Sequence, residues 1–169
     1  MNRQTIAILF LTAVRIFAAD SEEDESRAYA AGISRLTTRV ESFVADEIVH
    51  KLGRCEYPPA RRYAIRDLDG DKKDDVLLIT TFTLVSGGNY HESHLFVALS
   101  SQSTVQHLIV GGRGKREADR FQEGSLALFL QFRVWASSDP QCCPSLKTSE
   151  EIRIENGRLA LKPFDEIRR

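Results

Sequence analysis

Cysteine is scarce in this chain, with three among 169 residues. Three are too few for a scaffold held by several disulfides, and the positions Cys55, Cys142 and Cys143 do not follow the paired spacing of a zinc site. Because free thiols are disfavoured in an oxidising compartment, we expect a bridge from Cys55 to Cys142 or Cys143 if the chain is exported. A vicinal bond between Cys142 and Cys143, or three reduced and buried thiols, are the alternatives.

The sequence also lacks an apolar run long enough to cross a bilayer, which takes about 20 residues. The apolar stretch near the N-terminus follows a short basic start, is interrupted by Arg15 and ends at Ala18-Ala19. This order is typical of a secretory signal peptide. We therefore predict a signal peptide at residues 1–19, an exported protein that is periplasmic or extracellular, and no stable membrane insertion after cleavage.

Neither an excess of basic charge nor an internal repeat is present. The chain has 23 Lys and Arg against 24 Asp and Glu, and loss of Arg3 and Arg15 with the signal would leave 21 basic residues. A slightly acidic chain gives no indication of nucleic-acid binding, and the absence of repeats disfavours a propeller. After the signal peptide we expect a flexible acidic segment at 20–27 and a single domain at 28–169.

One amphipathic helix and several short strands are predicted. Apolar residues recur every three or four positions from Ile33 to Leu52, and Gly53 follows as a natural helix end. From Tyr63 onward, β-rich runs alternate with turn residues, and Asn156-Gly157 predicts a two-residue hairpin. The predicted fold class is α+β, with the N-terminal helix packed on a twisted, mostly antiparallel sheet of about seven strands.

The segment 67–75 has the strongest chemical signature in the chain. It reads Asp-Leu-Asp-Gly-Asp-Lys-Lys-Asp-Asp, so that carboxylates occupy its first, third, fifth and ninth positions directly before an apolar run. Carboxylates at alternate positions of a tight turn can converge on one cation, and Ca²⁺ prefers six to eight oxygen ligands. The spacing therefore predicts a calcium loop, with a metal-free, Asp-rich turn as the alternative.

The loop differs from an EF-hand at two positions. Lys72 stands where an EF-hand has Gly, and Leu78 stands where it has a bidentate Glu. The pattern D-x-D-G-D-x-x-x-D running into a strand instead resembles the loops of FG-GAP and VCBS-type repeats. That resemblance implies a backbone carbonyl ligand at Lys73 and side-chain ligands at Asp67, Asp69, Asp71 and Asp75. Those repeats usually carry Gly in place of Lys72 and occur in several copies, whereas this chain has one.

Other polar clusters carry weaker signals. His91 and His94 lie three apart in a predicted strand and should point to opposite faces, so a zinc site is not expected. The glycine-rich segment 111–116 matches neither a P-loop nor a dinucleotide fingerprint. The segment Asp-Pro-Gln-Cys-Cys-Pro-Ser at 139–145 resembles small exported bacterial proteins of uncharacterised role, and this resemblance implies no activity.

These observations predict an exported, non-enzymatic calcium-binding protein with a structural or binding role and an unknown protein or envelope partner. Two alternatives stay open. One is a thiol-dependent hydrolase or redox enzyme that uses the Cys142-Cys143 loop with His91 or His94. The other is a secreted inhibitor or adaptor that docks a partner through the glycine loops at Gly87 and Gly111, which should then lie on one rim of the sheet.

Overall fold

The fold is given by a computed structural model that describes residues 24–84, 91–112, 116–140 and 143–163. The predicted signal peptide at 1–19 and the residue Cys142 lie outside these ranges. The chain divides into two compact units, Met1–Arg35 and Leu36–Arg169. In the first unit the described residues 24–35 are helical and mostly exposed. No helix among the described residues is long and apolar enough to cross a membrane.

Helix α1 comprises residues 24–51, and its last eight residues, Val44–Lys51, are π-helical. The buried residues of α1 in the second unit recur every four positions, as the sequence predicts: Leu36, Val40, Val44 and Ile48. The helix ends before Gly53, whose φ of 60° is the left-handed conformation that favours glycine.

In the described part of the chain eight antiparallel strands follow the helix, and each pairs with the next, so their order in the sheet is their order in the chain. This confirms the α+β class and corrects the predicted strand number from about seven to eight. The strands are β1 (Arg54–Arg66), β2 (Asp75–Leu84), β3 (His91–Ala98), β4 (Val105–Gly112), β5 (Arg116–Glu123), β6 (Leu128–Val134), β7 (Leu146–Glu155) and β8 (Arg158–Pro163). The predicted two-residue hairpin joins β7 to β8, with Glu155 opposite Arg158.

Strand β5 is the one that the sequence did not predict. It is largely charged, and only Ala118 and Phe121 pack against the apolar core. Its first residue, Arg116, places its guanidinium 4.0 Å from the centre of the Phe132 ring. Because strand propensity reflects burial against neighbouring strands, a charged segment can be a strand where a few side chains find such contacts.

The first strands of the sheet are covered on both faces. Leu77 and Leu95 belong to a core cluster that also includes residues of β6 and β7. On the opposite face Phe96 is fully buried, and its ring meets the ring of Phe43 from α1 edge-on at 6.0 Å. The near-continuous apolar sequence of β2 follows from this double coverage.

Gln106 on β4 joins the first half of the sheet to the final hairpin. Its side-chain nitrogen donates to the Gly157 carbonyl at 2.8 Å, and its side-chain oxygen accepts from the Leu159 amide at 2.5 Å. The described backbone pairing between β4 and β5 is confined to Gly112 and Arg116. The two hydrogen bonds of the Gln106 side chain therefore connect β4 directly to the hairpin of β7 and β8.

We predict that Gln106→Ala lowers the free energy of unfolding by about 1–3 kcal/mol, because it leaves the amide of Leu159 without its acceptor. The control is Gln122→Ala, since the Gln122 side chain is exposed and accepts a hydrogen bond from Gln131 at the surface. That control should change the free energy by less than about 0.5 kcal/mol in urea unfolding. Equal losses of stability in the two variants would contradict the role of Gln106 in connecting β4 to the final hairpin.

Candidate metal centre

The segment 67–75 connects β1 to β2 and brings three carboxylates together. Ligand oxygens of Asp67, Asp69 and Asp71 lie within 4.8 Å of one another. Their spacing of two along a turn places alternate side chains on the inside of the loop. The structure therefore gathers three of the predicted ligands at one point.

The loop is shaped by its own carboxylates, which accept hydrogen bonds from backbone amides. Asp67 accepts from the amide of Gly70 at 2.7 Å and from that of Lys72 at 2.9 Å. Asp71 accepts from the amide of Lys73 at 2.8 Å. Such side-chain to backbone bonds are the reason why Asp favours turns, so the sequence itself specifies the curvature of the loop.

Two residues of the loop have left-handed backbone conformations, Gly70 with φ of 81° and Lys72 with φ of 67°. Glycine takes this conformation without steric cost, whereas a residue with a Cβ is strained there by about 1–2 kcal/mol. Lys72 occupies the position where FG-GAP and VCBS-type repeats usually have Gly. The backbone therefore turns at that position even though the residue is not glycine.

Two serines from the turn between β3 and β4 contact the carboxylate cluster. The hydroxyl of Ser100 donates to Asp71 at 2.8 Å, and that of Ser101 donates to Asp69 at 2.5 Å. Sequence reasoning missed both residues, because the contacts join segments about 30 positions apart. The pair of consecutive serines directly after an apolar strand was the only signal available.

Asp75 is fully buried and has a different place from the other carboxylates. It accepts hydrogen bonds from the amide of Leu68 at 2.9 Å and from that of Ser100 at 2.7 Å. Burial raises the pKa of Asp75 despite these two bonds, and the negative charges of Asp69 and Asp71 raise it further. Asp75 thus anchors both ends of the loop, and its predicted role as a ligand stays a prediction, as does that of the Lys73 carbonyl.

The pKa of Asp71 moves in the opposite direction. The hydrogen bond from the Ser100 hydroxyl lowers it first, followed by the bond from the Lys73 amide, and the positive charge of Lys73 adds to the effect. Asp71 is therefore ionised throughout the neutral range. An ionised carboxylate beside two further carboxylates is the donor set that hard, oxygen-preferring cations such as Ca²⁺ or Mg²⁺ require, whereas soft metals prefer nitrogen and sulfur.

The predicted disulfide from Cys55 is wrong, because Cys55 is a free and exposed thiol. It lies on β1 opposite Thr83 of β2, where the pairing of the edge strand leaves its side chain in solvent. Cys143 is disulfide-bonded, and its neighbour Cys142 lies outside the described residues. Among the described residues, Cys143 therefore belongs to a disulfide and Cys55 is a free thiol, so these two cysteines are not bonded to each other.

The opposite rim of the sheet carries a second group of polar residues. The strand ends that flank segments 85–90 and 113–115 lie at this rim, as the adaptor alternative requires, although Gly87 itself lies outside the described residues.

His91 contacts Glu117 at 2.7 Å, and an open cleft of about 480 Å³ is lined by these two residues together with Tyr57, Arg62 and Arg133. As predicted, His94 lies on the other face of β3.

Lys72→Gly and Lys73→Gly provide a matched test of the loop geometry. Both remove one positive charge and add the same freedom to the unfolded chain, but of these two lysines Lys72 alone has a left-handed backbone. We expect Lys72→Gly to be neutral or to stabilise by up to about 1 kcal/mol, and Lys73→Gly to destabilise by about 0.5–1 kcal/mol. Chemical denaturation in a chelator measures both, and an equal effect would contradict the described turn.

Comparison with known proteins gives no relative for this chain. None of the protein-family models, curated proteins and solved structures that were compared matches it. The resemblance to FG-GAP and VCBS-type loops therefore depends on residues 67–75 alone. What the centre does has to be inferred from its own geometry.

Proposed function

We propose that the chain is an exported calcium-binding protein in which the ion has a structural role. The ion would be bound by Asp67, Asp69 and Asp71, with the Lys73 carbonyl and Asp75 as further candidates. The observation that carries this proposal is the approach of three carboxylates within 4.8 Å in a loop whose backbone amides already point at them. The resemblance to FG-GAP and VCBS-type loops agrees with this choice of ligands.

Electrostatic repulsion within the loop supports the proposal. Burial raises the pKa of Asp75, and the charges of Asp69 and Asp71 raise it further because like charges disfavour its ionised form. Lys73 lowers the pKa of Asp71 and offsets part of this repulsion. A divalent cation between the carboxylates would remove the remaining repulsion, since opposite charges at such distances attract strongly where water is partly excluded.

The structural role follows from what the loop contacts. Asp69 and Asp71 bind Ser101 and Ser100, so the connection between β1 and β2 is tied to the turn between β3 and β4. An ion that holds the carboxylates in place would also hold this tie. If the ion binds only the folded state, it stabilises that state by roughly 2.7 kcal/mol at a hundredfold excess over Kd.

The proposed compartment fits a site of this kind. Extracellular calcium modules bind with dissociation constants of about 10⁻⁴–10⁻³ M, which suffices where calcium is abundant. The positive charges of Lys72 and Lys73 beside the carboxylates should weaken binding toward this range. A weak calcium site is thus consistent with export and would be largely empty at the lower calcium concentration of a cytosol.

We predict that calcium raises the melting temperature of the chelator-treated protein by about 5–10 °C at a hundredfold excess over Kd. The test variant is Asp69→Asn with Asp71→Asn, which keeps an oxygen acceptor for the backbone amides and removes two charges. This variant should lose the calcium response. In chelator it should be less stable than the native chain, because hydrogen bonds from Ser100 and Lys73 lower the pKa of Asp71 and so make its ionised form favour the folded state.

The matched control is Asp46→Asn with Glu123→Gln, which removes two charges from exposed acids outside the loop. This control should keep the full calcium response, because the effect of net charge on stability is the same in both double variants. Differential scanning calorimetry with calcium and with chelator measures all three proteins. An identical melting curve of the native chain under both conditions, or a response that persists in the loop variant, would refute the proposal.

A further inference from the structure

Two histidines that are distant in sequence meet beneath helix α1. His94 on β3 is 1% exposed, and its Nδ1 lies 2.8 Å from the Nε2 of His107 on β4. The two rings are stacked, with their centres 4.9 Å apart. A direct hydrogen bond between imidazoles requires that one nitrogen carries a proton and the other does not, so its presence depends on the protonation of the pair.

Aromatic rings enclose this pair and connect it to the helix. His107 stacks on Phe96 with ring centres 4.7 Å apart, and Phe82 lies 4.7 Å from His94. From α1, Phe43 approaches both Phe96 and His107 at about 6 Å. The pair is therefore part of the contact between the helix and the sheet, in surroundings that hydrate a charge poorly.

A single carboxylate is placed to balance charge on the pair. Glu92 lies 3.4 Å from the Nε2 of His94, but it also forms an ion pair with Arg54 at 3.1 Å. Thr80 of β2 is the partner of His94 in the sheet and is bonded to Glu56. Among the other charged groups on these elements, Glu56 pairs with Arg61 on β1, Glu41 with Arg61 and Tyr63, and Arg39 with the carbonyls of Leu99 and Gln102.

The hydrogen bonds assign the proton positions in the neutral pair. His94 donates from Nε2 toward Glu92 and accepts at Nδ1, while His107 donates from Nε2. A proton added to Nδ1 of His94 would make both facing nitrogens donors and break the bond between the rings. A proton added to His107 instead would place a positive charge between the aromatic rings of Phe96 and Phe43, where water hydrates it poorly. Either event weakens the contact beneath α1.

We propose that the His94 and His107 pair is an acid-sensitive latch, which holds residues 36–51 of α1 on the sheet near neutral pH and releases them on proton uptake. This device is independent of the carboxylate loop, which lies at the other end of β3, beyond Ala98. It makes the docking of the helix, rather than the fold of the whole sheet, the property that responds to acid.

The direction of the pH effect follows from the pKa values. Burial lowers the pKa of His94, and it lowers that of His107 to about 4, with the charge of His94 adding to the latter. Groups whose pKa is lowered by docking bind protons more tightly once released. The docked state is thus fully favoured above about pH 6.5 and loses stability as the pH falls toward 4, by up to about tenfold per pH unit for each histidine.

Hydrogen exchange of the full chain at constant calcium, at pH 7 and at pH 5, tests the latch. After correction for intrinsic exchange rates, protection of the amides in 36–51 should fall about 10- to 30-fold at pH 5, while β6 and β7 keep theirs. His107→Gln keeps a donor toward His94 but cannot take up a proton itself, so its helix should lose clearly less protection at pH 5 than the native helix, with His94 as the remaining titrating residue. His50→Gln is the control, because His50 is an exposed helix histidine that should leave the acid response intact.

Two results would overturn the latch. One is a simultaneous loss of protection in α1, β6 and β7, which would indicate ordinary acid unfolding. The other is an unchanged acid response in His107→Gln. If that variant does not fold, His94→Phe with His107→Phe replaces it, since this pair keeps the stacked rings and has no group that titrates. An acid response of the helix in the double variant would likewise refute the proposal.

Discussion

The buried carboxylate of Asp75 is the interaction on which the rest of the candidate centre depends. Its two oxygens accept the amides of Leu68 and Ser100, which belong to the connections on either side of β2 and β3. Ser100, once positioned, donates to Asp71. Burial of an acid is unfavourable unless it is hydrogen-bonded, so these bonds make Asp75 acceptable at the start of a central strand. The orientation of the loop follows from this one anchor.

We propose that the two ends of the strand pair formed by β2 and β3 respond to different solutes. At one end ligand oxygens of Asp67, Asp69 and Asp71 lie within 4.8 Å of one another, where a cation would bind them. Along the other part of β3, His94 and His107 form a direct hydrogen bond that added protons would break. The loop carboxylates and the two histidines are polar groups that do not contribute to an apolar core. Such departures from a purely apolar interior are most often retained for function.

Local features of the fold could be predicted from sequence, and distant contacts could not. The spacing of Leu36, Val40, Val44 and Ile48 specifies the helix face, and the spacing of the Asp residues specifies their convergence, because both depend on neighbours within a few positions. Strand β5, the contacts of Ser100 and Ser101, and the meeting of His94 with His107 all depend on strand pairing. The predicted Cys55 bridge is wrong for the same reason, since the strand order places Cys55 on β1 whereas Cys143 follows β6.

The central claim is that residues 67–75 form a calcium site, and calorimetric titration of calcium into chelator-stripped protein tests it most directly. The account predicts saturable binding of one ion for each chain, with a dissociation constant at or below about 10⁻³ M and no comparable binding after Asp69→Asn with Asp71→Asn. Absence of saturable heat for the native chain, or equal binding by the loop variant, would contradict the claim.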